Sequence, residues 1–104
     1  MNTEQHDRRR AKVGLCRGRH SMPGIELYVY PQVVENPLDF DDLEHEAYLF
    51  LMEVIARGYT HVELYVTGLT MCLTSFLKMA AGNMQVTLMH WDRDTETYVP
   101  QEWN

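Results

Sequence analysis

Three short runs in this chain alternate aliphatic with polar or aromatic residues, and two helical stretches separate them. The runs are Ile25-Glu26-Leu27-Tyr28-Val29-Tyr30, Val62-Glu63-Leu64-Tyr65-Val66 and Val86-Thr87-Leu88-Met89-His90-Trp91. Alternation with period two marks a strand whose two faces meet different surroundings. After the first run, Pro31 and Asn36-Pro37 mark a loop, and the spacing predicts a helix from about Asp39 to Arg57 with Gly58 as its stop. Asp39, Asp41, Asp42 and Glu44 crowd its start, where the macrodipole favours negative charge. Its expected core stripe is Phe40, Leu43, Ala47, Phe50, Leu51, Val54 and Ile55. A second helix is expected from about Thr70 to Ala81, with Leu73, Phe76, Leu77 and Ala80 inward and Gly82-Asn83 as its stop. Asp92-Arg93-Asp94-Thr95 then reads as a turn, and Thr97-Tyr98-Val99 as a short fourth strand ended by Pro100.

This β-α-β-α-β succession with a C-terminal hairpin strand predicts an α/β fold, a small Rossmann-like two-layer sheet. Right-handed crossovers would join three parallel strands, and the hairpin would add one antiparallel strand. A length of 104 residues suits one domain. With 45% hydrophobic and 23% charged residues the composition is that of a globular chain, which excludes a collagenous or low-complexity one. The apolar runs are too short to span a bilayer, so no membrane partner is expected. The opening residues lack the pattern of a secretory signal. Cys16 and Cys72 are too few for a disulfide framework, which points to a reducing, cytoplasmic setting.

The faces of the strands divide sharply. If Ile25, Leu27 and Val29 point at the helices, so do Val62, Leu64, Val66, Val86 and Leu88. The opposite face then carries Glu26, Tyr28, Tyr30, Glu63, Tyr65, Thr87, Met89 and Trp91, which two helices on one side cannot cover. A homodimer is the expected partner for that face, since aromatic and Met enrichment marks interfaces. The alternative is a partly wet face beneath the N-terminal segment.

Charge divides the chain as well. Residues 1–24 carry six basic side chains against two acidic ones, and residues 25–104 carry three against thirteen, for a total of −6. Residues 1–24 are therefore read as a flexible basic leader and 25–104 as a single α/β domain. The leader is expected to add little to the core, so that deleting residues 1–21 leaves the melting temperature nearly unchanged. A basic leader could also serve as an arm for nucleic acid. The acidic body is not expected to bind DNA non-specifically.

In open α/β sheets, ligands bind beyond the carboxyl ends of the strands. Three loops converge there: Tyr30 to Gln32, Thr67 to Thr70, and His90 to Arg93. In the second, Gly68 permits a positive φ, Thr70 can cap the helix, and free amides at the helix start suit a phosphate or carboxylate. The same four residues also fit a plain strand-to-helix turn. In the third, His90, Asp92 and Arg93 could act as base, orienting carboxylate and anion holder; they also fit a hairpin turn with a surface ion pair. His61/Glu63 and His45/Glu46 read as solvated surface. Cys16 and His20 lack a second ligand pair for zinc, so neither a metal nor another cofactor is expected. Cys72, near a helix start, is read as a core thiol or, less simply, as a thiol carrier.

The stretch from Val62 to Lys78, VELYVTGLTMCLTSFLK, resembles the strand–[T/S]-G-x-T–helix signature of CARF domains, the Rossmann-like sensors and ring nucleases of type III CRISPR systems. The resemblance implies a cyclic oligonucleotide bound across a homodimer above the strand carboxyl ends. It places Thr67, Gly68, Thr70 and Lys78 at the phosphate-contacting loop and following helix. Leu69 and Gln32, on the converging loops, join them as ligand-binding candidates from the strand-end reading alone. The expected function is binding of a nucleotide-type second messenger, with its cleavage left open. The alternative is a non-enzymatic interaction module that uses the aromatic sheet face.

Overall fold

The computed structural model describes residues 9–17, 24, 25 and 27–104. Within them the chain is α/β, with five strands in one mixed sheet and two helices. In chain order the elements are β1 (Arg10–Cys16), β2 (Leu27–Tyr30), α1 (Phe40–Ala56), β3 (His61–Tyr65), α2 (Thr70–Ala80), β4 (Gln85–Asp92) and β5 (Thr97–Glu102). The sheet order is β2-β1-β3-β4-β5. The first four strands are parallel, and β5 returns antiparallel beside β4. The expected Rossmann-like succession is present, with one strand more than expected. No helix among the described residues is long and apolar enough to cross a membrane.

The extra strand corrects the reading of residues 1–24 as a leader with little part in the core. Ala11, Val13, Leu15 and Cys16 are all buried, and β1 pairs with β2 on one side and β3 on the other. Arg10 and Lys12 allow this because they alternate with Ala11, Val13 and Leu15 and so project from the face the helices leave open. Residues 1–8 and 18–23, with the rest of the expected leader and His20, lie outside the described residues, as does Glu26.

Register confirms the aliphatic side of the sheet. Val13 lies beside Leu27 and Leu64, and Leu64 lies beside Leu88, while Ala11, Val62 and Val86 form the row below. Leu43, Ala47, Phe50, Leu51 and Val54 of α1 and Cys72, Phe76 and Ala80 of α2 close this core. Phe50 and Phe76 meet edge to face between the helices, their ring centroids 6.3 Å apart. Two expected members of the α1 stripe, Phe40 and Ile55, are instead exposed. They sit in the first and last turns of α1, and Ile55 joins Tyr48, Leu49 and Met52 among its exposed apolar side chains.

The ends of the helices follow from local chemistry. Asp39 Oδ1 accepts the Asp42 amide at 3.2 Å, so Asp39 is the carboxylate N-cap of α1 rather than its first helical residue. Gly58, with φ +90°, turns the chain out of α1 just past the Arg57 C-cap. Pro100 does not end the last strand as expected, because β5 is an edge, where a missing amide hydrogen is tolerated.

Gly14 sits mid-strand because the Tyr28 ring lies across it. A Cβ there would stand 2.5 Å from Tyr28 Cε1 and 2.7 Å from Cδ1. Gly14→Ala should therefore lift the ring off β1 and cost about 1–3 kcal/mol in thermal unfolding. Adding Tyr28→Ala in the same chain should cancel much of that cost, since the two changes share one contact.

Candidate functional site

The sheet order places a topological switch point between β1 and β3. From β1 the chain moves outward to β2, then crosses back to β3 and continues to β4 on the far side. Ligands of open α/β sheets bind beyond the carboxyl ends of the strands at such a point. The loop after β3 is Thr67-Gly68-Leu69, which leads directly into α2.

Three features of that loop stand out. Gly68 has φ +90°, a conformation that side chains with a Cβ seldom adopt. Leu69 is the N-cap of α2 and gives no side-chain hydrogen bond, which corrects the expectation that Thr70 caps the helix; Thr70 is its first residue. The Cys72 and Leu73 amides donate to Leu69 O at 3.1 and 3.3 Å, so the Thr70 and Met71 amides have no intrahelical acceptor. Finally, Thr67 Oγ1 is buried and has no hydrogen-bond partner among the described residues. A buried hydroxyl left unpaired costs about 1–3 kcal/mol. The two helix starts also differ in charge: α1 carries Asp41 and Asp42 in its first turn, and α2 carries no acidic residue there.

Tyr30 builds the floor of this end of the sheet, a role its expected place on the open face did not suggest. Its side chain is fully buried, and its hydroxyl lies 3.1 Å from Cys72 O and 3.3 Å from Leu43 O. One phenolic hydrogen is thus shared between the first turns of both helices. Burial, followed by the neighbouring Cys72 and Cys16, pushes the phenol far above its ordinary range. Cys72 is itself buried, as the core-thiol reading expects.

The other sequence candidates are dispersed. His90 Nε2 lies 2.7 Å from Gln101 Oε1 across the β4–β5 pair. Asp92 is engaged by its own hairpin: Oδ1 accepts the Asp94 amide at 3.1 Å, and Oδ2 accepts the Thr95 hydroxyl at 2.9 Å. Arg93 is exposed in the same turn. The arrangement holds a hairpin together and joins none of the three to another as an acid–base pair. Lys78 lies in the last turn of α2, its Nζ 3.0 Å from Glu44 Oε1. Gln32 is exposed on the loop after β2. The structure therefore gathers Thr67, Gly68, Leu69 and Thr70 into one turn and leaves Lys78 two turns down the helix.

His61, read from sequence as solvated, is buried and shares a 2.7 Å hydrogen bond with Thr87 Oγ1. Among the described residues no three His, Cys, Asp or Glu side chains are grouped to hold a metal ion. A depression of about 210 Å³ between β2 and α1 is lined by Glu46 and Glu53, which makes it a poor place for an anion. Burial, and then Asp42, push the Glu46 carboxyl above its ordinary range, although His45 pulls the other way.

Fold and turn together define a small Rossmann-like α/β protein with an open helix start at its switch point. The chain matches no protein-family model, no curated protein and no solved structure.

Proposed function

We propose that the protein binds a phosphate-bearing, nucleotide-type ligand of the cyclic oligonucleotide class at the Thr67–Thr70 turn, and that it does so as a homodimer in the cytoplasm. The observation that carries this reading is the buried Thr67 hydroxyl, left without a partner beside an uncapped helix start. A phosphate oxygen would accept from that hydroxyl and from the Thr70 and Met71 amides, satisfying the helix start and the orphan together. The resemblance of Val62–Lys78 to CARF sensors supports the same ligand class. Nothing at the turn supplies a nucleophile or a base, so the reading is binding, with hydrolysis unassigned.

Thermal shift with cyclic and linear oligoadenylates tests the proposal. A ligand at 100 times its Kd stabilises the native state by about 2.7 kcal/mol, which raises the melting temperature of a domain this size by roughly 10 °C. Gly68→Val should remove the shift, because φ +90° strains any residue with a branched Cβ and moves the amides. A chain that no oligoadenylate stabilises, at concentrations up to about 1 mM (weak binding on the affinity scale), would end this reading.

A second reading, a non-enzymatic interaction module, draws on the open sheet face. Tyr65, Tyr98 and Trp91 cluster there, and Trp91 is 55% exposed. Exposed contiguous aromatic surface marks a contact site.

A further inference from the structure

The open face of the sheet is polarised in both charge and apolarity. Its rows can be read across the strands: Tyr28, Gly14, Tyr65, Met89 and Pro100 form one, and Lys12, Glu63, Thr87 and Glu102 another. The β1 side is basic. It carries Arg10 and exposed Lys12, with Arg17 at its end stacked 5.2 Å above the Tyr28 ring. The far side is net acidic: it carries exposed Glu102 on β5, and Asp94 and Glu96 against Arg93 in the hairpin. An apolar strip runs across β3, β4 and β5 beyond the Glu63–Thr87–Glu102 row. Tyr65 and Tyr98 meet edge to face at 4.8 Å, and Tyr98 and Trp91 at 5.1 Å. Burial, and then Glu63 and Tyr98, hold the Tyr65 phenol above its ordinary range.

From this we infer that a second copy of the chain stacks face to face on the sheet, about a two-fold axis that runs parallel to the strands near β3. The inference rests on the homodimer part of the proposal above and gives it a surface and a symmetry. The charges select the axis. A two-fold axis across the strands would lay β1 on β1 and bring Arg10, Lys12 and Arg17 against their own copies. An axis along the strands exchanges the two sides of the sheet. Arg10 and Lys12 then approach Glu102 of the second copy, and Tyr28 with Arg17 approaches its Trp91 and Tyr98. Such an interface is isologous and self-complementary. Among the described residues the carboxylate in the middle is Glu63, which already has Arg10 3.9 Å away and does not enter the contact unpaired.

The axis has a consequence for the candidate site. Rotation about the strand direction keeps both sets of carboxyl ends at the same end of the assembly. The two Thr67–Thr70 turns then open on one side, as a two-fold symmetric ligand requires. The crosswise axis would send them to opposite ends.

The test is sedimentation of the ligand-free full chain, from about 5 to about 200 µM, the range in which modest interfaces assemble. The expected result is a monomer–dimer equilibrium that weakens with added salt. Trp91→Glu changes a side chain that is already more than half exposed, so the fold is kept; far-UV circular dichroism checks this. It should leave the chain monomeric throughout that range. Lys12→Glu should weaken the dimer roughly ten-fold, and Glu102→Lys in the same chain should restore most of the loss. Lys12 and Glu102 are three strands apart in one chain, about 14 Å at the usual spacing, so this rescue reports contact between copies. A monomeric wild type overturns the inference, as does a dimer indifferent to Trp91→Glu. A dimer that Glu102→Lys does not rescue overturns the axis. None of these outcomes depends on oligoadenylate binding, which the thermal shift measures separately.

Discussion

A chain lacking residues 1–21 should show no cooperative thermal unfolding. The deletion removes β1, the strand that joins β2 to the rest of the sheet. Val13 and Leu15 are completely buried, and Ala11 and Cys16 nearly so. Fully burying a Val or Leu side chain is worth about 1.5–3 kcal/mol, so the two large aliphatics alone account for roughly 3–6 kcal/mol. A domain of this size has only about 5–15 kcal/mol in total. The loss does not stop at side chains. β2 would have no strand to pair with, and one edge of β3 would lose its ladder from Arg10 to Gly14. Far-UV circular dichroism on heating is the measurement, and a broad, non-sigmoidal loss of signal is expected. A sharp transition within a few degrees of the full chain would show that β1 is dispensable, as the charge pattern alone suggests.

The second large effect is expected at Tyr30. Tyr30→Ala removes a fully buried ring from between the two helix starts and should cost about 3–5 kcal/mol. Tyr30→Phe keeps the ring and loses only the hydroxyl shared by Cys72 O and Leu43 O, at about 1 kcal/mol. The phenylalanine variant also carries a pH signature. The folded state holds the phenol neutral well above the value it takes when unfolded. Its contribution is therefore complete below about pH 10, the ordinary tyrosine value, and declines as the pH rises further and the unfolded phenol ionises. Melting temperatures at neutral and strongly alkaline pH should converge for wild type and Tyr30→Phe. A gap between them that stays constant with pH would mean that the Tyr30 hydroxyl is not held neutral by the fold. Because Tyr30 touches the first turns of both helices, its variants should also loosen the Thr67–Thr70 turn.

The sequence carried β2, β3, β4 and both helices openly, because each pairs a regular apolar period with a strong boundary residue. Leu27, Leu64 and Leu88 fall on the aliphatic face that period two assigns them. Asp39 caps α1, and Gly58 ends it. The turn at Gly68 was also legible, since a glycine between a strand run and a helical run signals a positive φ. Ala11, Val13 and Leu15 alternate in the same way, but they stand among Arg10, Lys12 and Arg17, and period alone does not say that those cations project from an open face. Only the sheet order settles that, because a strand with one solvated side can be both basic and central. Tyr30 was hidden for a related reason. Alternation assigned it to the open face, but at the end of its strand the side chain reaches between two helices that are 29 residues apart in sequence (Leu43 and Cys72), and no local pattern encodes that meeting. His61 and Thr87 likewise form a buried pair only because β3 and β4 lie in register. Local periodicity and boundary residues thus determined which segments became strands and helices. Strand order, the switch point between β1 and β3, and the pairing of distant polar groups were decided by tertiary packing, where burial of the aliphatic face outweighs the charge of any single segment.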